Sequence, residues 1–276
     1  MSEDFKNGFL KTLLILREYL NVIIIGGGWA PLIYYHYLLK DKSKTPLRTR
    51  DIDLFVNIKV PVLGAKTIDQ LLIESGLQHR FKSNHSPPVI HYEGVLGGDD
   101  VEIEFLTDQR GTKEDVVIKA QKDLHAEALR FVSIILDNPI EVEVDDLLIE
   151  GILYTLKIRV PSPAAFIFHK GLIYQRRKER HKKAKDLYYI FDIIASCPEL
   201  MDGIISDLKI FKKQYPSWSK TFHNNIEGSF KDLTSEGIKM ITSQRPEGAF
   251  PELTGDQFRQ YAFGKFQELI EEIKKQ

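Results

Sequence analysis

Apolar positions recur at two different spacings in this chain, and the change from one to the other falls near Val160. Before it, apolar residues come mostly in short runs bounded by glycine, asparagine and aspartate; after it, they recur every three or four residues over long stretches. The first spacing suits strands and the second suits helices. Phe5 to Leu20 is an early exception, where Phe9, Leu10, Leu13, Leu14, Leu16 and Leu20 predict a helix that Asn21 stops. Val22 to Ile25 then reads as a buried strand, and Gly26 to Gly28 as a tight turn. Trp29 to Leu39 reads as a helix with Pro31 in its first turn, where a missing N–H is harmless. Asp51 to Ile58 alternates polar and apolar residues and predicts a half-buried strand. Thr67 to Ser75 reads as a short helix ended by Gly76. Further strands are expected at 89–92, 101–106, 131–136, 140–144 and 153–160, with a hairpin turn at Gly97 to Asp100 and a helix over 115–128.

Val160-Pro161-Ser162-Pro163 marks the change of regime. Ser162 can cap a helix with Pro163 at its first position. Helices are expected at 163–175, 180–196, 199–214, 217–242 and 255–275. Strands followed by helices predict an α+β chain: a mixed β-sheet domain over 1–160, then an α-helical domain over 161–276.

Composition adds limits. The chain has 276 residues, 43 % apolar and 28 % charged, enough apolar material for a core. A net charge of −1 provides no global field toward nucleic acid or membrane, so a polyanion site has to be a local patch. The single cysteine, Cys197, excludes an internal disulfide and a cysteine-based zinc cluster, and the chain reads as cytoplasmic. Met1 to Lys6 is polar and acidic, which predicts no signal peptide, and no apolar run is long enough to span a bilayer.

The candidate chemistry lies in three segments. Gly26-Gly27-Gly28-Trp29-Ala30 takes a strand into a helix start. Thr49-Arg50-Asp51-Ile52-Asp53-Leu54 opens the next strand. Val101-Glu102-Ile103-Glu104-Phe105-Leu106 is a third, acidic strand. Asp51 and Asp53 are two apart, so both point to one face. Two carboxylates so placed repel each other unless a cation sits between them, and magnesium prefers hard oxygen ligands. A third carboxylate from a neighbouring strand completes a two-metal site. Glu102 and Glu104 both qualify; Glu104 is favoured because it lies deeper in the apolar strand. The glycines let a triphosphate approach the backbone N–H groups. Val22 to Gly28 also looks like the opening of a dinucleotide-binding unit. That alternative is weakened by Pro31 in place of a third glycine and by acids at the start of the next strand.

Gly26 to Ala30 followed by Arg50 to Leu54 resembles the signature of the polymerase-beta-like nucleotidyltransferases, and more narrowly their bacterial abortive-infection and toxin-type branch. Val101 to Thr107 and Pro161 to Ile194 extend the resemblance over about residues 20–195. It implies an enzyme that moves an NMP from an NTP such as ATP to an acceptor hydroxyl on RNA, protein or a small molecule. It also implies that Asp51, Asp53 and Glu104 bind Mg²⁺. The family commonly has a serine after the first glycine, where this chain has glycine, and its third acid is often aspartate. A relative that binds nucleotide or a partner without turnover is therefore a further reading.

Between Lys170 and Lys185 stand eight lysines and arginines and one acid, Glu179. Lys178, Arg180, Lys182 and Lys183 read as a solvated face. Lys170 follows an apolar segment and is the candidate phosphate contact. Asp186 reads as a partner of Arg177 or Lys182. Arg48 and Arg50 either orient phosphate or balance local charge. His79, His85 and His91 fit no zinc spacing and read as surface or satisfied histidines. Trp29, Tyr34, Tyr35 and Tyr37 read as core, with Tyr34 or His36 as a lesser candidate to flank a base. Arg245 to Leu253 reads as a loop with no assigned role.

Overall fold

The computed structural model describes residues 7–44, 46–47, 49–81, 90–109, 111, 116–149 and 151–275. The expectations for Arg48, His85 and the first residues of the 5–20, 89–92 and 115–128 segments lie outside these. The chain divides into two compact units, Met1–Ser162 and Pro163–Gln276.

The first unit is built on a mixed sheet. Its strands are β1 (Ile23–Ile25), β2 (Asp51–Val56), β3 (Gln78–Phe81), β4 (Ile90–Leu96), β5 (Asp99–Asp108), β6 (Val116–Gln121), β7 (Leu124–Leu129), β8 (Pro139–Ile149) and β9 (Ile152–Pro161). Among the described residues the sheet runs β3-β4-β5-β2-β1-β9-β8, with β7 added beside the end of β5 and β6 beside β7. β1 is antiparallel to β2, whereas β2 and β5 are parallel. A dinucleotide-binding unit needs its first two strands parallel, so the antiparallel β1–β2 pair removes that reading.

The helices of this unit are α1 (Asn7–Ile15), α2 (Trp29–Ile33), α3 (Ile68–Glu74) and α4 (Ser133–Asp137). The ring of Phe9 on α1 stacks on Trp29 at 4.1 Å. A π-helical turn, Tyr34–Leu38, continues α2, and Trp29, Tyr34, Tyr35, His36 and Tyr37 are all buried. Tyr34 donates to the Pro161 carbonyl at 2.8 Å, and neither it nor His36 offers an open face to a base. α3 starts where expected because Thr67 and Gln70 form a reciprocal capping box.

Two expected elements are different in kind. Residues 116–129 form the β6–β7 hairpin instead of a helix. Leu124, Ala126 and Ala128 are buried at alternate positions, and Asp123 takes a left-handed φ of 63° at the turn. The apolar period there is two, and β-branched Val116, Val117 and Ile118 favour the strand. Residues 131–136, expected as a strand, contain a left-handed turn at Phe131 (φ 67°) and then α4. Asp108, distant in sequence, accepts from the Ser133 N–H at 2.8 Å and caps that helix.

The second unit is helical: α5 (Pro163–Ile173), α6 (Arg180–Ser196), α7 (Met201–Gln214), α8 (Pro216–Ser229), α9 (Glu236–Gln244) and α10 (Gly255–Lys274). α6 is its centre, burying Leu187, Tyr188, Ile190, Phe191 and Ile193. The single helix expected over 217–242 is broken into α8 and α9. Phe230 leaves the helical path to stack on Phe266 at 3.6 Å, and Asp232 accepts from the Thr234 N–H and hydroxyl at 2.7 and 2.6 Å. That local turn competes with helix. The loop 245–253 is ordered by Arg245, which donates to the carbonyls of Ala249, Phe250 and Leu253 and lies over the Phe258 ring. No helix of the described residues is long and apolar enough to cross a membrane.

Candidate functional site

β2 and β5 run parallel and in register, with Asp51 beside Glu102 and Asp53 beside Glu104. Register partners share a face, and residues two apart share a face, so all four carboxylates stand on one side of the sheet. Ile52, Leu54 and Val56 fill the other side, 0–1 % exposed. Asp51 is exposed, while Asp53 is only partly so. The side chains of Glu102 and Glu104 keep 26 % and 20 % exposure.

The glycine turn abuts this face. The Gly26 N–H donates to the Asp53 backbone oxygen at 2.9 Å. Gly27 has φ 58°, and a β-carbon there would stand 2.0 Å from Asp53 Oδ2; one on Gly26 would meet the Phe55 ring at 2.2 Å. Both glycines are thus required by close approach to β2, Gly27 by its left-handed backbone as well. Gly28 precedes α2 with an ordinary helical φ of −73°.

His91, set aside in the sequence, belongs to this face. β4 pairs antiparallel with β5, Tyr92 opposite Ile103 and Glu93 opposite Glu102, which brings His91 level with Glu104. The imidazole is 3 % exposed. Its Nδ1 lies 2.9 Å from Glu102 Oε1 and 2.8 Å from Glu104 Oε1. Nothing local marks it; only the β4–β5 register does. His79, by contrast, is satisfied by Asp69 at 2.6 Å.

Two cavities meet at Arg50, and the first of them also reaches Asp51 and Glu102. One of about 460 Å³ is lined by Arg50, Asp51, Gln78, Glu93, Asp100 and Glu102. Another of about 530 Å³ is lined by Phe9, Trp29, Thr49, Arg50, Asp99 and Asp100. Arg50 borders both.

His91, Glu102 and Glu104 each bring one ligand atom within 4.8 Å of the others, a group that could hold a metal ion. Asp51 and Asp53 add hard carboxylate oxygens on the same face from the neighbouring strand.

Lys170 is placed differently from its expected phosphate contact. It is buried in the helical unit, its ammonium 2.7 Å from Asp186 Oδ1 and over the rings of Phe166 and Tyr189. Arg177 reaches the other Asp186 oxygen at 2.9 Å. Burial pushes the Asp186 carboxyl up, but Lys170 and Arg177 outweigh it and hold the group below its usual range. His169 beside them is pushed down to about 3, by burial first and then by Lys170 and Arg177.

The α+β fold, with acids on adjacent strands beside a glycine turn, is consistent with a nucleotidyltransferase. The family model described as nucleotidyltransferase matches residues 18–200, and the chain belongs to that family. No curated protein matches the sequence. Among solved structures, an antigenic nucleotidyltransferase-like protein from Paracoccidioides brasiliensis is similar over 80 % of this chain and 93 % of its own, at 19 % identity and a TM-score of 0.38.

Proposed function

We propose that the chain transfers a nucleotidyl group from an NTP to an acceptor hydroxyl, with Asp51, Asp53 and Glu104 as the Mg²⁺ ligands. The observation that carries this reading is the in-register β2–β5 pair, which sets Asp53 between Glu104 and Gly27. Glu104 is preferred to Glu102 as the third acid because it shares a rung with Asp53, the aspartate against the glycine turn. When bound, Mg²⁺ supplies charge neutralisation on the triphosphate and a more acidic acceptor hydroxyl.

The chain's own groups then divide the work. The Gly26 N–H is committed to Asp53, so the N–H groups of Gly27 and Gly28 are assigned to phosphate oxygens, and the exposed Arg50 at the start of β2 is assigned to them too. Asp51 and Asp53 hold the reacting phosphate's side of the site, and Glu104 the acceptor's side. The acceptor is RNA, protein or a small molecule. The narrower placement in the abortive-infection and toxin-type branch rests on the sequence motifs, and the cytoplasmic setting on the single cysteine.

Labelled NTPs offered with total RNA and protein test the reading. Wild-type protein incorporates label in Mg²⁺ and Asp53→Asn does not. If NTP raises the Tm in Mg²⁺ without any incorporation, the chain is a nucleotide-binding relative instead.

A further inference from the structure

Resting on the reading above, we infer that His91 is a positioning residue for the third acid. It grips one oxygen of the Glu104 carboxylate from β4, on the side of β5 away from Asp53, and keeps Glu102 beside it. Nδ1 is hydrogen-bonded to Glu102 Oε1 at 2.9 Å and lies 2.8 Å from Glu104 Oε1; ionised carboxylates only accept, so with both acids ionised that nitrogen is the one that carries a proton between them. The assignment therefore requires the Nδ1–H form of His91.

The geometry asks for such a donor. Glu102 and Glu104 leave the same face of β5 about 6.6–6.8 Å apart along the strand, yet one oxygen of each reaches the same nitrogen. Two like charges drawn together repel, and a glutamate side chain left to itself has several rotamers. A buried imidazole, 3 % exposed on the neighbouring strand, removes both problems at once. It belongs to β4, whose pairing with β5 is antiparallel and continuous from Tyr92 to Leu96, so the ring is carried on a rigid element. Both glutamate side chains remain partly exposed, at 26 % and 20 %. A donor that orients a metal-binding carboxylate in this way ordinarily changes metal affinity about 10- to 100-fold when removed.

The test has two arms. In the first, the histidines of the ¹⁵N-labelled wild-type protein are followed by long-range ¹H–¹⁵N NMR with and without Mg²⁺. A protonated Nδ1 on His91 in both states is expected. A bare Nδ1 without Mg²⁺, or one that becomes bare when Mg²⁺ is added, overturns the assignment, the latter because the ring would then be a ligand.

In the second arm, Mn²⁺ binding is measured by EPR in wild type, His91→Leu, His91→Asn and Asp53→Asn. Asparagine returns an N–H near the place of Nδ1; leucine does not. Binding about 10-fold weaker in H91L and largely restored in H91N is expected, with kcat lowered in H91L and KM for NTP little changed. H91L binding like wild type, or H91N no better than a folded H91L, overturns it. Should H91L not fold, H91N within about three-fold of wild type supports the assignment, and a ten-fold loss in a folded H91N overturns it. Loss of binding in D53N with H91L unaffected ends this inference alone. Wild type that neither binds Mn²⁺ nor incorporates label ends it together with the transferase reading.

Discussion

The two units each gather charged side chains in a sheltered place, and they do so in opposite ways. In the helical unit one carboxylate, Asp186, receives two cations, Lys170 and Arg177, and is 3 % exposed. In the sheet unit two carboxylates, Glu102 and Glu104, converge on one imidazole nitrogen, and Asp51 and Asp53 stand on the same face. The first cluster is closed: acid and bases satisfy each other, and its natural role is to hold α5 to α6. The second stays partly open to solvent and gathers like charges, which is how a site for a cation differs from an internal brace. Burial alone does not separate the two; the ratio of acids to bases does.

The comparison can be broken by substitution. Asp53→Asn should lower nucleotidyl incorporation by a factor on the order of 10²–10³ while urea unfolding shows no loss of stability. A destabilised D53N would mean that the acid is a brace after all. Asp186→Ala should do the reverse: by leaving Lys170 buried beside no carboxylate, it should destabilise the protein by about 3–5 kcal/mol in urea titration. Replacing both, Lys170→Met with Asp186→Leu, should recover most of that loss, since a well-packed apolar pair can match a buried ion pair.

Gly27→Ala sharpens the contrast at the turn. Its β-carbon meets Asp53 Oδ2 and its φ is left-handed, so a loss of about 1–3 kcal/mol is expected, together with weaker Mn²⁺ binding as Asp53 moves. The remaining effect concerns pH. His169 ordinarily titrates near 6.5 but is pushed down to about 3 in the folded chain. Between those values the unfolded chain takes a proton that the folded one refuses, so stability falls as pH drops from about 6.5 to about 3. His169→Leu should flatten that part of the Tm-against-pH curve. An unchanged slope would show that the ring is protonated in place. Asp186, held below its usual range, adds a loss only at the acid end.

The acids were legible because their signal is local. A spacing of two on a strand puts Asp51 with Asp53, and Glu102 with Glu104, on shared faces whatever the rest of the chain does. Which pairs would meet was not legible, since the β2–β5 register is set by the whole sheet. His91 was missed for the same reason: its meaning comes entirely from standing level with Glu104 on another strand. The glycines were noticed as a phosphate turn, but the contacts of Gly26 with Phe55 and of Gly27 with Asp53 needed coordinates. Helix boundaries failed where a distant residue decides them, as Asp108 does for α4 and Phe266 does for the break after α8. At 116–129 the β-branched Val117 and Ile118 favour strand, and the pairing of β6 with β7 decides it.

The parallel alignment of β2 with β5 makes the site a matter of phase as much as of residue identity. Inserting one amino acid between Val101 and Glu102 would preserve the composition and allow the backbone ladder to re-form. It would nevertheless turn every following side chain over, sending Glu102 and Glu104 into the apolar layer and lifting Ile103 and Phe105 to the opposite surface. Changes of chain length inside this strand are therefore tolerable in even steps at best, a stricter rule than any single replacement there obeys.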